Sequence, residues 1–383
     1  MRKLKKPQRL VIIGILIAIL LGAGGYLYVQ ALDQGSDTAA TTTSSPSTAS
    51  TTSSGDDVDW ASLPTTNVTL LNTAFAITSA GTYVLTGTTT AGVTVNTDGN
   101  VRIVLNTATI KSTDGAAIYI QSAKNTYIQT AKDTTNTVQD SANHSDATID
   151  GAIYSADDLF LEGEGTLNVT SSYADAVVSK DDLTVISGTY GINSADDGIH
   201  GKDSVTILNG DISITAGGDG IKATNIEDAT KGNVTIKGGT ITISATNQGI
   251  QAEQTLEING GTITVTQISE GFEAATITIN DGKITITASD DGINGSASAL
   301  VSNPTVTFNG GEVNVTVGSG DTDAVDSNGD VTLNGGTISL TAPTSSIDYD
   351  GSAAFNGGTL IVNGTQLTAI PAGMMGGQGG GMR

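Results

Sequence analysis

Four stretches of alternating residues decide the fold: VTIKGGTITISA (234–245), LEINGGTITVTQ (256–267), ITINDGKITITAS (277–289) and VTLNGGTISLTA (331–342). In each of them, two runs that alternate polar with aliphatic residues flank a glycine-containing turn. This alternation places the aliphatic side chains on one face of a strand and the threonines on the other. Each stretch therefore predicts two short strands joined by a tight turn.

A second motif, in which an acidic residue precedes a glycine or alanine, sets the length of the repeat. It appears as SADDGIHG (194–201), GGDGIKA (217–223), ISEGFEA (268–274) and SDDGING (289–295). The residues after the acidic position recur at intervals of 22, 22, 29, 22, 21 and 32: Ala176, Gly198, Gly220, Gly249, Gly271, Gly292 and Ala324. Self-similarity of this kind is the signature of a repeat protein.

Each repeat holds three predicted strands, one after the acidic position and one on either side of the glycine turn. Such a unit cannot bury its apolar face alone, but stacked coils bury each inward isoleucine or valine against its counterpart in the next coil. We therefore predict an all-β fold, a right-handed parallel β-helix with coils of about 22 residues. The alternative is a β-sandwich, in which strands follow one another at variable spacing.

Three other segments flank the repeats. Residues 1–33 combine a basic tip with the uncharged stretch 10–29, which as a helix would cross the ~30 Å hydrocarbon core of a bilayer. The basic tip predicts that this end is cytoplasmic and that the rest of the chain lies outside; cleavage after Ala31 would instead release a secreted protein. We predict a Ser/Thr-rich disordered linker at 34–57, the β-helix at 58–370 and a Gly-rich disordered tail at 371–383.

The composition excludes several classes of function. The net charge of −23 would repel nucleic acid and anionic lipid. The absence of cysteine excludes disulfides and thiolate metal sites. We expect a monomer that does not bind nucleic acid and that contacts the membrane only through its N-terminal helix.

The acidic positions of successive repeats should stack about 4.8 Å apart in a parallel β-helix. Two carboxylates at that distance repel each other by ~1 kcal/mol in water and ~3–4 kcal/mol at an effective dielectric constant of 20. Calcium, which takes about six to eight oxygen ligands, would neutralise such a column; alternatively, these residues only form turns at coil corners. The predicted column contains Asp150, Asp175, Asp197, Asp219, Gln248, Glu270, Asp291 and Asp323, with Asp196, Asp290 and Asp321 beside it. Apart from Asp150 and Gln248, these are our candidate calcium ligands.

The same residues lie in a sequence that resembles the bacterial carbohydrate-binding domain-containing β-helix proteins, known as cellulose- and acidic-sugar-binding proteins of clostridia. The stretches that carry the resemblance include AITSAGTYVLTGTTTAGVTVN, DGAIYSADDLFLEGEGTLNVT and KGNVTIKGGTITISATNQGIQAE, in the same order along 66–363. The resemblance implies a polysaccharide-lyase-like right-handed β-helix with bound calcium and affinity for cellulose or galacturonan. It implies as calcium ligands Asp196, Asp197, Asp219, Glu270, Asp290 and Asp291. Gln248 departs from the acidic pattern, and His200 stands where relatives often have lysine.

Three functions are consistent with these patterns. The first is an extracellular, membrane-anchored, calcium-loaded protein that binds plant-type polysaccharide without catalysis, with Tyr173, His200 and Lys222 as candidate binding residues. The second is a calcium-dependent, pectate-type lyase with Lys222 as its base, although Arg102 is the only arginine between Arg9 and Arg383 that could clamp a substrate. The third is a structural adhesin or spacer that calcium stiffens.

Overall fold

The computed structural model describes residues 58–320 and 322–372. In these ranges the chain forms 34 β-strands and one short 3-10 helix, Trp60–Ser62. The strands pair in parallel, except for Thr359–Val362, which pairs with Thr365–Leu367 in antiparallel fashion. The predicted all-β, parallel solenoid is therefore confirmed, and its right-handedness stays a prediction.

The strands stack in three faces, and successive coils add one strand to each face. The first face contains Phe75–Ile77, Val93–Asn96, Ile118–Ser122, Gly151–Ser155, Asp175–Ser179, Ile199–Gly201, Ile221–Ala223, the first parts of Gln248–Ile258 and Glu270–Ile279, Ile293–Gly295, Asp323–Ser327 and Ser345–Ile347. The second face contains Thr65–Leu70, the first parts of Gly81–Thr89 and Val101–Lys111, Thr126–Thr130, Leu159–Gly163, Asp182–Val185, Ser204–Ile207, Asn233–Ile236, the second parts of Gln248–Ile258 and Glu270–Ile279, Thr305–Phe308, Asp330–Leu333 and Ala353–Phe355. The third face contains the second parts of Gly81–Thr89 and Val101–Lys111, Thr135–Gln139, Thr166–Thr170, Thr189–Ser194, Asp211–Ala216, Thr240–Ser244, Thr262–Ile268, Lys283–Ala288, Glu312–Val317, Thr337–Thr341 and Thr359–Val362.

The core fills the space between the three faces, and the register explains why. Val177 pairs with Ile199, which pairs in turn with Ile221, so equivalent aliphatic residues stack in every coil. In Thr240–Ser244 the isoleucines are fully buried while the threonines at 240 and 242 are exposed. Each buried isoleucine or valine stabilises the fold by roughly 1.5–3 kcal/mol relative to an exposed one, which compensates for the absence of disulfides.

The turns between the second and third faces carry a column of asparagines. The side-chain amide of each donates a hydrogen bond of 2.8 Å to the side-chain oxygen of the one before it, in the order Asn259, Asn280, Asn309, Asn334 and Asn356. Two residues later, Gly261, Gly311, Gly336 and Gly358 adopt positive φ values of 82–93°, which L-residues with a side chain rarely reach. The repeated Asn-Gly-Gly sequence is therefore explained by this corner.

Several predicted segments lie outside the described residues. They are the transmembrane helix, the linker at 34–57, most of the Gly-rich tail, and Asp321. Across residues 58–320 and 322–372, no helix has both the length and the apolar character needed to cross a bilayer.

Candidate functional site

The first face carries one outward column of acidic residues at the point where each strand begins. Gln248 pairs directly with Glu270. The strands that follow the other acidic residues also pair in register from coil to coil, so these residues lie in line. We call this set the acidic column: Asp175, Asp197, Asp219, Gln248, Glu270, Asp291 and Asp323.

Most carboxylates of the acidic column hold the backbone of the following coil. Oδ1 of Asp175 accepts a hydrogen bond from the amide of Asp197 at 3.0 Å, and Oδ1 of Asp197 accepts one from Asp219 at 2.7 Å. The amides of Gln248 and Asp323 donate to Asp219 and Asp291 in the same way, at 2.9 and 2.8 Å. One oxygen of each of these carboxylates therefore has a structural role, and only the other is left for a ligand.

The carboxylates in the first half of the acidic column have nitrogen-bearing partners. Nδ1 of His200 lies 2.9 Å from Oδ2 of Asp175, and Nε2 of the same ring lies 3.0 Å from the hydroxyl of Thr224. Nζ of Lys222 lies 3.1 Å from Asp197 and 2.7 Å from Asp219. All three carboxyl side chains are almost completely buried. Lys222 therefore offsets part of the charge of Asp197 and Asp219, and His200 gives Asp175 a hydrogen-bond partner.

Lys222 is poorly suited to act as a catalytic base. Burial lowers the pKa of its ammonium group, but the hydrogen bond to Asp219 and the charge of Asp197 outweigh burial and raise that pKa above its ordinary value. An ammonium group held in this way stays protonated near neutral pH, so it cannot accept a proton from a substrate. The geometry thus does not favour the lyase alternative.

The second half of the acidic column is flanked by oxygen atoms instead of cations. The outward residues three places further on form a flanking column: His200, Lys222, Gln251, Glu273, Asn294 and Asp326. Among the described residues, no ion pair reaches Glu270, Asp291 or Asp326. Oε1 of Gln251 and Oδ1 of Asn294 are buried without a hydrogen-bond partner.

Three carboxyl groups of this second half have a raised pKa. Burial, reinforced by neighbouring carboxylates, raises the pKa of Asp291 to about 6 and that of Asp326 to about 7. Burial also raises the pKa of Glu270. These groups lack the compensation that His200 and Lys222 give the first half. A cation would remove the cost of ionising them.

The remaining predicted site residues lie elsewhere. Asp150 is one place out of register with the column, because Asp175 pairs with Gly151, and its carboxylate binds Lys180 at 3.1 Å. Asp196 and Asp290 lie on the exposed rim of the column. The ring of Tyr173, two residues before Asp175, stacks on the ring of His144, with the ring centroids 4.1 Å apart.

The glycine that follows each acidic residue has a different purpose from a turn glycine. Gly198, Gly220 and Gly249 do not adopt positive φ. A Cβ atom on each of them would lie 2.6 Å from the carbonyl oxygen of the next coil. A side chain at these glycines would therefore clash with the next coil, and the pairs Asp197-Gly198 and Asp219-Gly220 lie at the corner just before a first-face strand.

The sequence interpretation missed the flanking column. Its members occupy the second position after the glycine in GIHG, GIKA, GIQA, GFEA and GING, a position that changes from basic to acidic along the chain. A second cluster of carboxylates, between the first and second faces, was not predicted either. There the carboxylates of Asp158, Asp181 and Asp182 approach one another within 4.8 Å.

Comparison with known proteins agrees with this architecture. The family model of the carbohydrate-binding domain-containing proteins matches residues 72–324 and 269–369. A protein of that description from Acetivibrio thermocellus is 33% identical over 120 residues, which are 29% of this chain and 42% of the relative, so less than half of the relative's length is matched. A solved structure, the polysaccharide lyase-like protein from C. thermocellum as a gadolinium derivative, has a TM-score of 0.51 and 31% identity. The match covers 57% of this chain and 88% of that one.

Proposed function

Since the chain belongs to the carbohydrate-binding domain-containing family, we propose that it binds an acidic polysaccharide on its first face, through calcium held by the second half of the acidic column. The observation that carries this proposal is the contrast within the column. Asp197 and Asp219 pair with the ammonium group of Lys222, and Asp175 with the ring of His200, whereas Glu270 and Asp291 have no ion pair among the described residues. Cellulose is the second candidate ligand, and a structural spacer is the remaining alternative.

The second half of the column fits calcium by the chemistry of its donors. Calcium prefers carboxylate and amide oxygens, and both kinds face outward from consecutive coils here. Glu270, Asp291 and Asp326 would provide the carboxylates, and Gln251 and Asn294 the amide oxygens that lack a hydrogen bond. The backbone carbonyl oxygens of Asp291 and Asp323 already accept hydrogen bonds from the preceding coil. The ligands would therefore come mainly from side chains.

The gadolinium derivative of the related structure supports the same chemistry. Gadolinium(III) is a hard cation that takes oxygen ligands, as calcium does. That related protein therefore takes up a hard cation of this kind. This similarity bears only on the choice of metal and not on which residues bind it.

Calcium would reduce the electrostatic repulsion between the acidic protein and an acidic polysaccharide. A chain with a net charge of −23 repels a polyuronate. A divalent cation that keeps free coordination positions after binding the column would attract uronate carboxylates to it. On this proposal the polysaccharide lies along the first face, and its affinity depends on calcium. The raised pKa of Asp291 and Asp326 makes that affinity fall below neutral pH, because protonated carboxyl groups bind calcium poorly.

Calorimetric titration of the full-length chain with oligogalacturonate, with calcium and with a chelator, tests the proposal. We expect binding only with calcium, while the absorbance of unsaturated sugar stays flat. The double variant Asp291→Asn, Asp326→Asn should lose binding, whereas Asp211→Asn, an exposed acid on the third face, should not. Calcium-independent binding, or equal binding by the double variant, would contradict the calcium bridge.

Two other results would select the alternatives. A rising absorbance would identify a lyase, and the base would then have to be sought outside the Lys222 cluster. If calcium stabilises the fold but neither oligogalacturonate nor cello-oligosaccharide binds, the protein is a structural spacer.

We also propose that the β-helix acts outside the bacterial cell, either anchored by the segment 10–29 or secreted after its removal. The support is the uncharged segment behind the basic residues 2–9. Protease treatment of intact cells should degrade the β-helix. Its complete protection, with degradation after lysis, would place it inside.

A further inference from the structure

A cleft of about 220 Å³ opens on the first face, and its residue Tyr119 lies two coils before Asp175, where the acidic column begins. Tyr119 and Thr94 form part of its floor, and their register partners continue through Tyr154 and Val178 to His200. The cleft therefore lies on the same outward row as the flanking column. Three coils, roughly 14 Å along the axis, separate Tyr119 from His200.

An insertion in the solenoid builds one wall of this cleft. Ile118 pairs with Ile153, so this coil is much longer than the 22-residue coils around Asp197. The extra residues, about 140–150, leave the solenoid and cover part of the first face, where Ser145, Asp146 and Ile149 line the cleft. Asp114 from the preceding coil lines it as well.

The wall is fixed by contacts at both ends. The amide of Ser145 donates to Oδ1 of Asp114 at 2.8 Å. Nδ1 of His144 lies 2.5 Å from the carbonyl oxygen of Ile149, and its Nε2 lies 3.2 Å from Asp140, with both of these side chains fully buried. These contacts make the cleft a preformed feature, which lowers the entropic cost of binding.

The aromatic floor is also held in place. Tyr154 packs edge-on against Tyr119, with ring centroids 5.7 Å apart and planes at 73°. Nζ of Lys180 lies 5.3 Å from the centre of the Tyr154 ring and binds Asp150 at 3.1 Å. Tyr119 itself stays partly exposed in the cleft.

We propose that this cleft is a subsite for one neutral sugar ring, a hexopyranose of a glucan-type chain. An aromatic ring offers a flat surface for the C–H face of a pyranose. Oδ1 of Asp114 already accepts from Ser145 and Oδ1 of Asp146 from Thr148, so the Oδ2 atoms of the two carboxylates would accept hydrogen bonds from sugar hydroxyl groups. The same two carboxylates repel a uronate, so the cleft selects a neutral sugar where the acidic column would select a charged one. The inference rests on the proposed polysaccharide-binding function and adds a second site to it.

Calorimetry on the full-length chain in calcium, with cellotetraose and tetragalacturonate as probes, tests the subsite. We expect Tyr119→Leu to weaken cellotetraose binding about tenfold and Tyr119→Phe, which keeps the ring, to change it less than about threefold. Tetragalacturonate binding should be the same in all three proteins. Ala91→Gln, an exposed position that also lines the cleft, should weaken cellotetraose binding by obstruction.

Each of the following three results would contradict the proposed subsite. If the wild-type chain binds tetragalacturonate but not cellotetraose, the subsite fails and the proposed function stands. If neither sugar binds, both fail. If cellotetraose binds equally to wild type, Tyr119→Leu and Ala91→Gln, the neutral sugar binds elsewhere. Melting temperatures of the variants show whether they are folded. If Tyr119→Leu is unfolded, the cellotetraose binding of Ala91→Gln tests the subsite instead.

Discussion

The two halves of the acidic column share a backbone and a register but solve the problem of stacked charge differently. In the first half, His200 and Lys222 lie between the coils and bind Asp175, Asp197 and Asp219. In the second half, the equivalent positions are Glu273, Asn294 and Asp326, and burial beside other carboxylates raises the pKa of Asp291 and Asp326. Burial raises the pKa of Asp175 in the first half too, but there the hydrogen bond to His200 opposes the rise. The two halves therefore differ in the side chains that flank the same backbone: a histidine and a lysine in the first half, and mainly oxygen-bearing side chains in the second.

Gln248 marks the boundary between the halves. Its backbone amide caps Asp219, so it continues the structural role of the column without adding a charge. The flanking position in the same coil is Gln251, which is neutral as well. A neutral coil thus separates a self-compensated region from an uncompensated one, and the following predictions alter one side of this boundary at a time.

The largest expected effect follows from removing the ammonium group of Lys222 from the first half. Lys222→Met leaves two buried carboxylates without a cation, and we expect the free energy of unfolding in urea to fall by about 3 kcal/mol. Lys283→Met is the matched control, because its partner Glu312 lies 3.5 Å away and both side chains are more than half exposed. Its loss should be below ~1 kcal/mol. Equal losses in the two variants would remove the distinction on which the comparison rests.

The same variant should also make the first half resemble the second. With Lys222 replaced, calcium becomes the available neutralising ion for Asp197 and Asp219. We expect added calcium to restore part of the lost stability, beyond any gain of the wild type. A calcium response no larger than that of the wild type would show that a carboxylate pair alone does not make a calcium site.

Calcium should stabilise the wild type through the second half. Binding only to the folded state stabilises by about 2.7 kcal/mol when calcium is 100 times its dissociation constant. We expect the melting temperature of the full-length chain to rise with calcium, and this rise to be lost in Asp291→Asn but kept in Asp211→Asn. An unchanged response in Asp291→Asn would move the calcium site elsewhere, with the carboxylates of Asp158, Asp181 and Asp182 as the next group to test.

The pH dependence of stability provides a test without metal. Asp326 has a folded-state pKa of about 7, above the unfolded value, so the folded state binds more protons and its stability falls as pH rises from about 4 to about 7. Asp326→Asn removes this contribution. In a chelator, the variant should unfold at higher urea than the wild type at pH 8, and the two should converge only at about pH 4, the unfolded pKa.

Asp330→Asn should show the opposite sign. Hydrogen bonds from the backbone and side chain of Ser352 lower the pKa of Asp330. Its contribution to stability is present above the unfolded pKa and is lost as pH falls through the folded value. The variant should therefore be less stable than the wild type at pH 8 and converge with it only in strong acid. The same sign in both variants would mean that the pKa shift of Asp326 is misassigned.

Much of this architecture could be predicted from the sequence, because a period of about 22 residues leaves few other folds. The three strands of each coil and the inward isoleucines follow from the alternation in stretches such as Thr240–Ser244. The division of the column could not be predicted in the same way. It depends on the register that places Lys222 between Asp197 and Asp219, and on the loop at about 140–150 that puts Asp150 out of line. Insertions change the register locally, and spacing alone does not show where their residues pack.

The smallest effect is expected at the boundary itself. Gln248→Glu would place a carboxylate between Asp219 and Glu270, joining the two halves into one continuous acidic column. We expect a loss of about 1 kcal/mol in the free energy of unfolding in a chelator, together with tighter calcium binding by calorimetry, since the new carboxylate adds an oxygen ligand beside Glu270. Gln254→Glu, in the same strand but at the corner towards the second face, tests whether any added charge has this effect, and it should not tighten calcium binding. If Gln248→Glu changes neither stability nor calcium affinity, neighbouring coils do not sense each other's charge, and the contrast between the halves would have to be explained by burial alone.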